Sequence, residues 1–314
     1  METIAILTGG DSAEQSISLK SAETVLKHLD KKKYSGYIVN LSDNKYSCKD
    51  IKLELSDFSF KLNNRKIKFD KIFVALHGPP AENGLIQNYF DKINIPYTSC
   101  NANISAITFN KFECNKKLNE YGFKTARSLL IISENELDLE NNINLPCFVK
   151  PNQCGSSYGI TKVKNINEFK SAISLAKKYD SEVIIEESIN GIEVSCGVFK
   201  DKKEVVSLPV TEIISHNDFF DYEAKYLGKS EEITPARLPD KIYLEVQNIT
   251  RNIYSKMKLT GFCRIDYIIQ NSIPYVIEIN TIPGLSENSI IPQQLRHANI
   301  SLKDFFSLCL ININ

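Results

Sequence analysis

Arg264-Ile265-Asp266 and, further along, Glu278-Ile279-Asn280 read as parts of two strands, Arg264–Ile269 and Tyr275–Ile279. Side chains alternate along a strand, so Arg264 and Asp266 share one face, as do Glu278 and Asn280. If the strands are neighbours, Asp266, Glu278 and Asn280 converge as hard oxygen donors. Such a set suits Mg²⁺, which takes carboxylates together with phosphate oxygens. Two unpaired carboxylates on a buried face would repel one another and lose hydration. The alternative is a solvated sheet face, but Ile265, Ile277 and Ile279 are expected to point away from it into a core.

Working outward, Glu193–Phe199 and Val205–Val210 read as further strands of this last section. A polar, aromatic loop (His216–Glu232) and a helix (Asp240–Met257) follow them, and helices near Ser289–His297 and Leu302–Leu310 close the chain. The middle section opens with a helix over Ile104–Tyr121, then short strands Leu129–Ile132, Cys147–Lys150, Ile160–Val163 and Val183–Glu186, with a helix Asn167–Tyr179. At the N-terminus the apolar run Ile4–Leu7 reads as a strand buried on both faces. It is followed by a helix (Ser16–Leu29), strands Tyr37–Leu41 and Lys71–Leu76, and a helix around Leu85–Ile93. Strands alternating with helices predict an α/β unit with a small parallel sheet.

Bulk properties narrow the function. The 314 residues carry 38 basic and 38 acidic side chains, a formal net charge of zero. That balance lacks the basic excess of a protein built to grip nucleic acid or an anionic membrane. No apolar run approaches the roughly 20 residues of a membrane span, and METIAILTGG reads as a strand entering a turn rather than a signal peptide. The 8 cysteines contain no CxxC pair, so neither a zinc site nor a dithiol centre is supported. A cytoplasmic location is expected.

Three further segments have the composition of ligand loops. Thr8 to Glu14 is a Gly-rich turn before a helix, where free N–H groups can meet a ligand. It lacks the GxGxxG order of a dinucleotide site and, taken alone, reads better as a plain strand-to-helix turn. Leu76-His77-Gly78 follows a buried strand, where His77 either orients a substrate or is a satisfied polar histidine in a turn. Lys150-Pro151 and the Gly/Ser loop through Gly159 suit phosphoryl oxygens or a surface hairpin, and are not a P-loop. After the last strand, Gly284 offers a backbone N–H to an oxyanion, and Ser289 stands where it would cap the next helix.

Together these residues closely resemble the D-alanine–D-alanine ligase family of the ATP-grasp superfamily. The matching pieces run the length of the chain: GGDSAE at 9–14, LHG…ENG at 76–84, Lys111, KP…GSSYG at 150–159, EES…GIE at 186–193, DYEAKY at 221–226, RID at 264–266 and EINTIPG…NSIIP at 278–292. The resemblance implies an ATP-grasp fold preceded by a Rossmann-like N-terminal domain. Its divisions would be a substrate-side unit over 1–100, a central lobe over 101–187 and a C-terminal lobe over 188–314. It implies ATP-dependent joining of two D-alanines through an acyl phosphate, for peptidoglycan precursor synthesis. Two Mg²⁺ ions, with Mn²⁺ as the substitute, would sit on Asp266, Glu278 and Asn280.

Residue roles follow from the same likeness. Glu14 would bind the ammonium of the first D-alanine, with His77 nearby, and Glu14, Ser156 and Tyr226 would hold the loops closed. Lys111 and Lys150 would meet ATP phosphates. Glu186, Glu187, Ile189, Glu193 and Phe219 would meet the nucleoside. Arg264 and the Gly284 N–H would stabilise the oxyanion, and Lys225, Ser289 and Ile290 would receive the second substrate. A homodimer through the N-terminal region is implied, with no nucleic-acid or membrane partner.

The chain departs from the family pattern at Asn152-Gln153-Cys154, Pro79-Pro80-Ala81, Cys263 and Tyr267, which leaves the implied ligands in place. Cys154 and Cys263 are expected beside the site. Sister ligases making D-alanyl-D-lactate or D-alanyl-D-serine are the nearest alternatives, and the DYEAKY loop argues for the dipeptide. A non-catalytic ATP-binding regulator would not need Arg264, Asp266, Glu278 and Asn280, and a nicotinamide oxidoreductase lacks its fingerprint.

Overall fold

The computed structural model describes residues 1–12, 14–132, 143–215 and 230–313. The N-terminal unit is built on β1 (Glu2–Gly9), whose Ile4, Ala5, Ile6 and Leu7 are fully buried. Helix α1 (Gln15–His28) and β2 (Tyr34–Ser42) follow, then β3 (Lys45–Cys48), β4 (Ile51–Lys52), β5 (Phe60–Leu62), β6 (Arg65–Ile67) and β7 (Lys71–Val74). The sheet order is β4-β3-β2-β1-β7. Strands β2 and β7 flank β1 in parallel, but β3 and β4 run antiparallel at the edge. The expected all-parallel sheet is therefore mixed.

The missed strands are joined by two-residue turns. Asp43-Asn44, Lys49-Asp50 and Asn63-Asn64 all have positive φ at both positions, the geometry that matches the twist of a tight hairpin. Asn and Asp tolerate it because their short side chains hydrogen-bond locally.

Helix α2 (Leu85–Lys92) leads to α3 (Ala102–Phe109) and α4 (Lys111–Glu120). The single helix expected over 104–121 is divided at Asn110, whose extended backbone and side-chain acceptance from the Glu113 N–H start a new helix. Cys114 and Leu118 of α4 join the core of the C-terminal sheet.

The central sheet has the order β10-β9-β11-β8, formed by β8 (Ser128–Ile131), β9 (Cys147–Pro151), β10 (Thr161–Val163) and β11 (Val183–Glu187), all antiparallel. Only Phe169–Ala176 of the expected 167–179 helix is α-helical, here α5, after a 3₁₀ turn at Ile166–Glu168.

The C-terminal sheet runs β15-β14-β12-β16-β17, with β13 also on β12. Its strands are β12 (Ile192–Asp201), β13 (Glu204–Ser207), β14 (Thr211–Ser215), β15 (Ser230–Ile233), β16 (Phe262–Gln270) and β17 (Ile273–Asn280). The strand expected over 205–210 is β13, which ends at Ser207, and β14 is a further strand beyond the expected range. Helix α6 (Asp240–Lys256) covers this sheet with Ile242, Val246 and Ile253. Helices α7 (Ile290–His297) and α8 (Leu302–Ile311) follow.

One core crosses the division between the N-terminal and C-terminal units. Ile4, Ile6, Val25 and Phe73 pack with Phe199, Phe262, Phe305 and Phe306. The Phe73 and Phe306 rings meet edge-on at 5.4 Å. Gly261 lies at this junction with φ +67, and a Cβ there would come within 2.0 Å of the Thr98 carbonyl oxygen. Gly261→Ala is expected to cost more than about 1 kcal/mol, read as a lower thermal midpoint at unchanged circular dichroism. Among the described residues no helix is long and apolar enough to cross a membrane.

Candidate active site

A cleft of about 840 Å³ is lined by all three units. Its floor is the β16–β17 pair. Arg264 faces Asn280 across the strands, and Asp266 faces Glu278. Arg264 Nε and Nη2 donate to the two Asp266 carboxylate oxygens at 2.9 and 2.7 Å. Ser195 Oγ donates to Asp266 at 2.5 Å, and Asn280 Nδ2 at 2.9 Å. Asn280 Nδ2 also reaches Glu278 at 3.5 Å. A buried carboxylate is tolerable here because a forked cation and two neutral donors replace its water.

A bulge refines the expected pattern. Tyr267 pairs with Val276 and Asp266 with Glu278, so Ile277 is the extra residue. Ile265 and Ile279 enter the core as expected, but Ile277 lines the cleft. The bulge brings Glu278 into register with Asp266. Two carboxylates beside a side-chain amide form a hard oxygen set that fits Mg²⁺. Among the described residues there is no group of three His, Cys, Asp or Glu side chains placed to hold a metal.

The opposite wall carries the lysines. Lys111, at the start of α4, donates to the Cys154 carbonyl at 2.5 Å. Burial and the neighbouring Lys150 lower its pKa. Lys150 on β9 forms an ion pair with Glu186 of β11, which also accepts from Asn115 at 2.6 Å. Glu187 accepts from the Asn144 backbone and side-chain amides at 3.2 and 2.8 Å. Glu187, Ile189 and Glu193 line the same end of the cleft.

At the N-terminal side, Glu14 begins α1 and reaches between two glycines. Its carboxylate lies 3.4 Å from where a Cβ on Gly78 or on Gly155 would stand. His77 is 5% exposed. Nε2 lies 3.2 Å from Ser21 Oγ, and the ring also hydrogen-bonds the Ile282 carbonyl. The Leu285 N–H donates to that same Ser21 hydroxyl. The histidine thereby ties the 282–285 segment to α1 while its ring lines the cleft, and burial lowers its pKa.

Ser156 stands at φ +55 in the Gly/Ser loop, and its buried Oγ has no hydrogen-bond partner among the described residues. Gly284, Ser289 and Ile290 form the far end. A Cβ on Gly284 would lie 2.9 Å from Ser289 Oγ. Ser289 holds the N-cap position of α7, but its hydroxyl meets Ser286 at 2.7 Å instead of capping the helix.

The sixteen expected site residues within the described part all line this one cleft. Phe219, Lys225 and Tyr226 lie outside the described residues. Cys154 lines the cleft as expected, but Cys263 does not: strand alternation turns its thiol into the core, 3.8 Å from Cys100. Four carboxylates of the cleft, Glu23, Glu82, Glu232 and Glu287, are absent from the residues expected there. Burial, then the nearby Glu14, raises Glu82 to about 8, and it lies within the ENG piece quoted from the sequence. Glu232 ends the polar loop preceding α6, and only its place in the fold reveals it.

A mixed N-terminal sheet joined to two antiparallel lobes that enclose a lysine-and-carboxylate cleft defines an ATP-grasp architecture. The models for D-ala D-ala ligase N-terminus and D-ala D-ala ligase C-terminus match residues 3–100 and 118–311. The chain is 46% identical to D-alanine--D-alanine ligase of Flavobacterium johnsoniae over 98% of each chain, and 44% identical to that of Phocaeicola vulgatus over 96% of each. Among solved structures it is similar to VanG D-Ala:D-Ser ligase from Enterococcus faecalis (TM-score 0.88, 29% identity, 98% of each chain). It is also similar to D-alanine--D-alanine ligase from Bacillus anthracis complexed with ATP (TM-score 0.81, 26% identity, 99% and 97% covered). The chain belongs to the D-alanine–D-alanine ligase family.

Proposed function

We propose that the protein joins two D-alanines to D-alanyl-D-alanine with cleavage of ATP, for peptidoglycan precursor synthesis. The observation that carries this reading is the single cleft that sets Lys111 and Lys150 opposite Arg264, Asp266, Glu278 and Asn280. A carboxylate is a poor electrophile until phosphoryl transfer supplies a leaving group, and this arrangement suits that transfer.

In this reading Lys111 and Lys150 hold the ATP phosphates, with Lys150 kept in place by Glu186. Glu186, Glu187, Ile189, Glu193 and Phe219 take the nucleoside. Asp266, Glu278 and Asn280 would hold two Mg²⁺ ions, whose charge would offset the repulsion between ATP and the incoming carboxylate. Glu14 binds the ammonium of the first D-alanine, and His77 holds the adjoining segment against α1. The D-alanine carboxylate oxygen attacks the γ-phosphorus and ADP departs. The second amine then attacks the acyl carbon, and phosphate leaves. Arg264 and the Gly284 N–H stabilise the oxyanion between these events. The second substrate's carboxylate lies at Lys225, Ser289 and Ile290. The Ser156 hydroxyl, without a hydrogen-bond partner among the described residues, is the group that Tyr226 would engage, closing the site to water that would hydrolyse the acyl phosphate.

Dependence on ATP supports a cytoplasmic location, and family likeness supports a homodimer through the N-terminal unit. Phosphate release with ATP and Mg²⁺ is expected only with D-alanine, and the product is expected to be D-alanyl-D-alanine. Absence of D-alanine-dependent release would sink the reading. A mixed dipeptide when D-serine is supplied in competition would reassign the second substrate.

A further inference from the structure

The second amino acid must arrive with a protonated amine and attack with a free one. The cleft holds a carboxylate suited to that change. Glu232 lies on β15, paired with Ile213 of β14, and lines the cleft with Arg264, Ser289 and Ile290. Gln293 Nε2 donates to its Oε2 at 2.5 Å and to the Asn288 carbonyl at 2.8 Å. Gln293 sits one helical turn beyond Ser289, so the two share a face of α7. Glu232 is thereby fixed beside the helix start where the second substrate's carboxylate is placed. In an α-amino acid the ammonium is one carbon away from that carboxylate, so its partner belongs in this neighbourhood.

The other carboxylates have different partners, and Glu287, two residues before Ser289, is paired with Lys27 at 2.5 Å. Asp266 is held by Arg264, Ser195 and Asn280, and Glu278 lies beside Asn280. Glu14 lies among Gly78 and Gly155 at the start of α1. Among the described residues Glu232 accepts its one side-chain hydrogen bond from a neutral amide. Burial raises its pKa above the ordinary carboxylate value, which brings it nearer to an amine as a proton acceptor.

We propose that Glu232 binds the ammonium of the second amino acid and serves as the base that frees it, a role that rests on the ligase reading above. The carboxylate takes one proton from R–NH₃⁺, giving Glu232–COOH and R–NH₂. The nitrogen lone pair forms the C–N bond to the acyl carbon, and the C–O bond to phosphorus-bound oxygen breaks. Inorganic phosphate leaves with the second nitrogen proton, and Glu232 returns its proton to solvent. No oxidant or further reactant is needed.

The test separates the two half-reactions. Glu232→Gln keeps the size and polarity of the side chain but cannot take the proton. Its kcat/KM for the second D-alanine is expected to fall about 10²-fold. D-alanine-dependent positional isotope exchange in ¹⁸O-labelled ATP, which reports acyl phosphate formation alone, is expected to stay within about twofold of the wild type. Gln293→Ala is expected to raise the KM of the second D-alanine and leave exchange intact. An unchanged kcat/KM in Glu232→Gln, or exchange that falls in parallel with it, overturns the role. Wild-type protein that shows no D-alanine-dependent exchange overturns the ligase reading itself.

Discussion

Glu278→Gln is expected to leave the protein folded while reducing ATP-dependent phosphate release by about 10³-fold or more, since metal-assisted charge stabilisation supplies several kcal/mol. The fold should tolerate the change. The strand is anchored by Val276 and Ile279 in the core, while Glu278 itself faces the cleft. Glutamine can still meet Asn280, and losing one of two facing carboxylates removes repulsion from Asp266. Two readouts keep folding and chemistry apart. The thermal midpoint without ligand should be unchanged or slightly higher. The added stabilisation that ATP gives in the presence of Mg²⁺ should be largely lost, because a ligand stabilises only in proportion to its affinity for the native state. A variant with wild-type turnover would overturn the assignment of Glu278 to the metal.

Arg264→Met should lower kcat by about 10²–10³-fold, the usual cost of removing one donor from a developing oxyanion. The KM for ATP is expected to move little, because the proposed phosphate contacts are Lys111 and Lys150, which line the cleft separately from Arg264. Arg264 also forks onto Asp266, so some loss of thermal stability should accompany the change. Arg264→Lys restores the charge but not the fork and should recover only part of kcat. If Arg264→Met kept wild-type kcat and lost only ATP affinity, the oxyanion role would fall and a nucleotide-binding role would replace it.

The strands that carry chemistry were legible because they obey two simple periodicities. Alternation along 264–266 and 278–280 places the charged groups on one face, and the β16–β17 pairing realises it. The buried β1 and the apolar stripe of α6 were equally clear, since burial of these faces leaves few other residue choices. The short strands β3 to β6 were not. Their turns are set by positive φ at Asn, Asp and Lys rather than by an Asn-Gly or Asp-Gly signature. The helix divided at Asn110 was hidden for a related reason: a polar residue within an otherwise helical pattern ends one helix only when its side chain caps the next.

The sequence by itself determined the chemistry available to this protein. It set which residues are carboxylates, lysines and glycines, in an order that resembles one ligase family, because residue type and spacing are local properties of the chain. Only the tertiary structure decided how those groups meet. It made one core of Phe73 and Phe306 and turned the Cys263 thiol inward to Cys100. It also placed Ile277 in a bulge facing the cleft and brought Glu232 to Gln293 beside Ser289. These contacts join residues far apart in the chain, and they form because packing the sheets and helices together buries apolar surface that no single segment can bury alone.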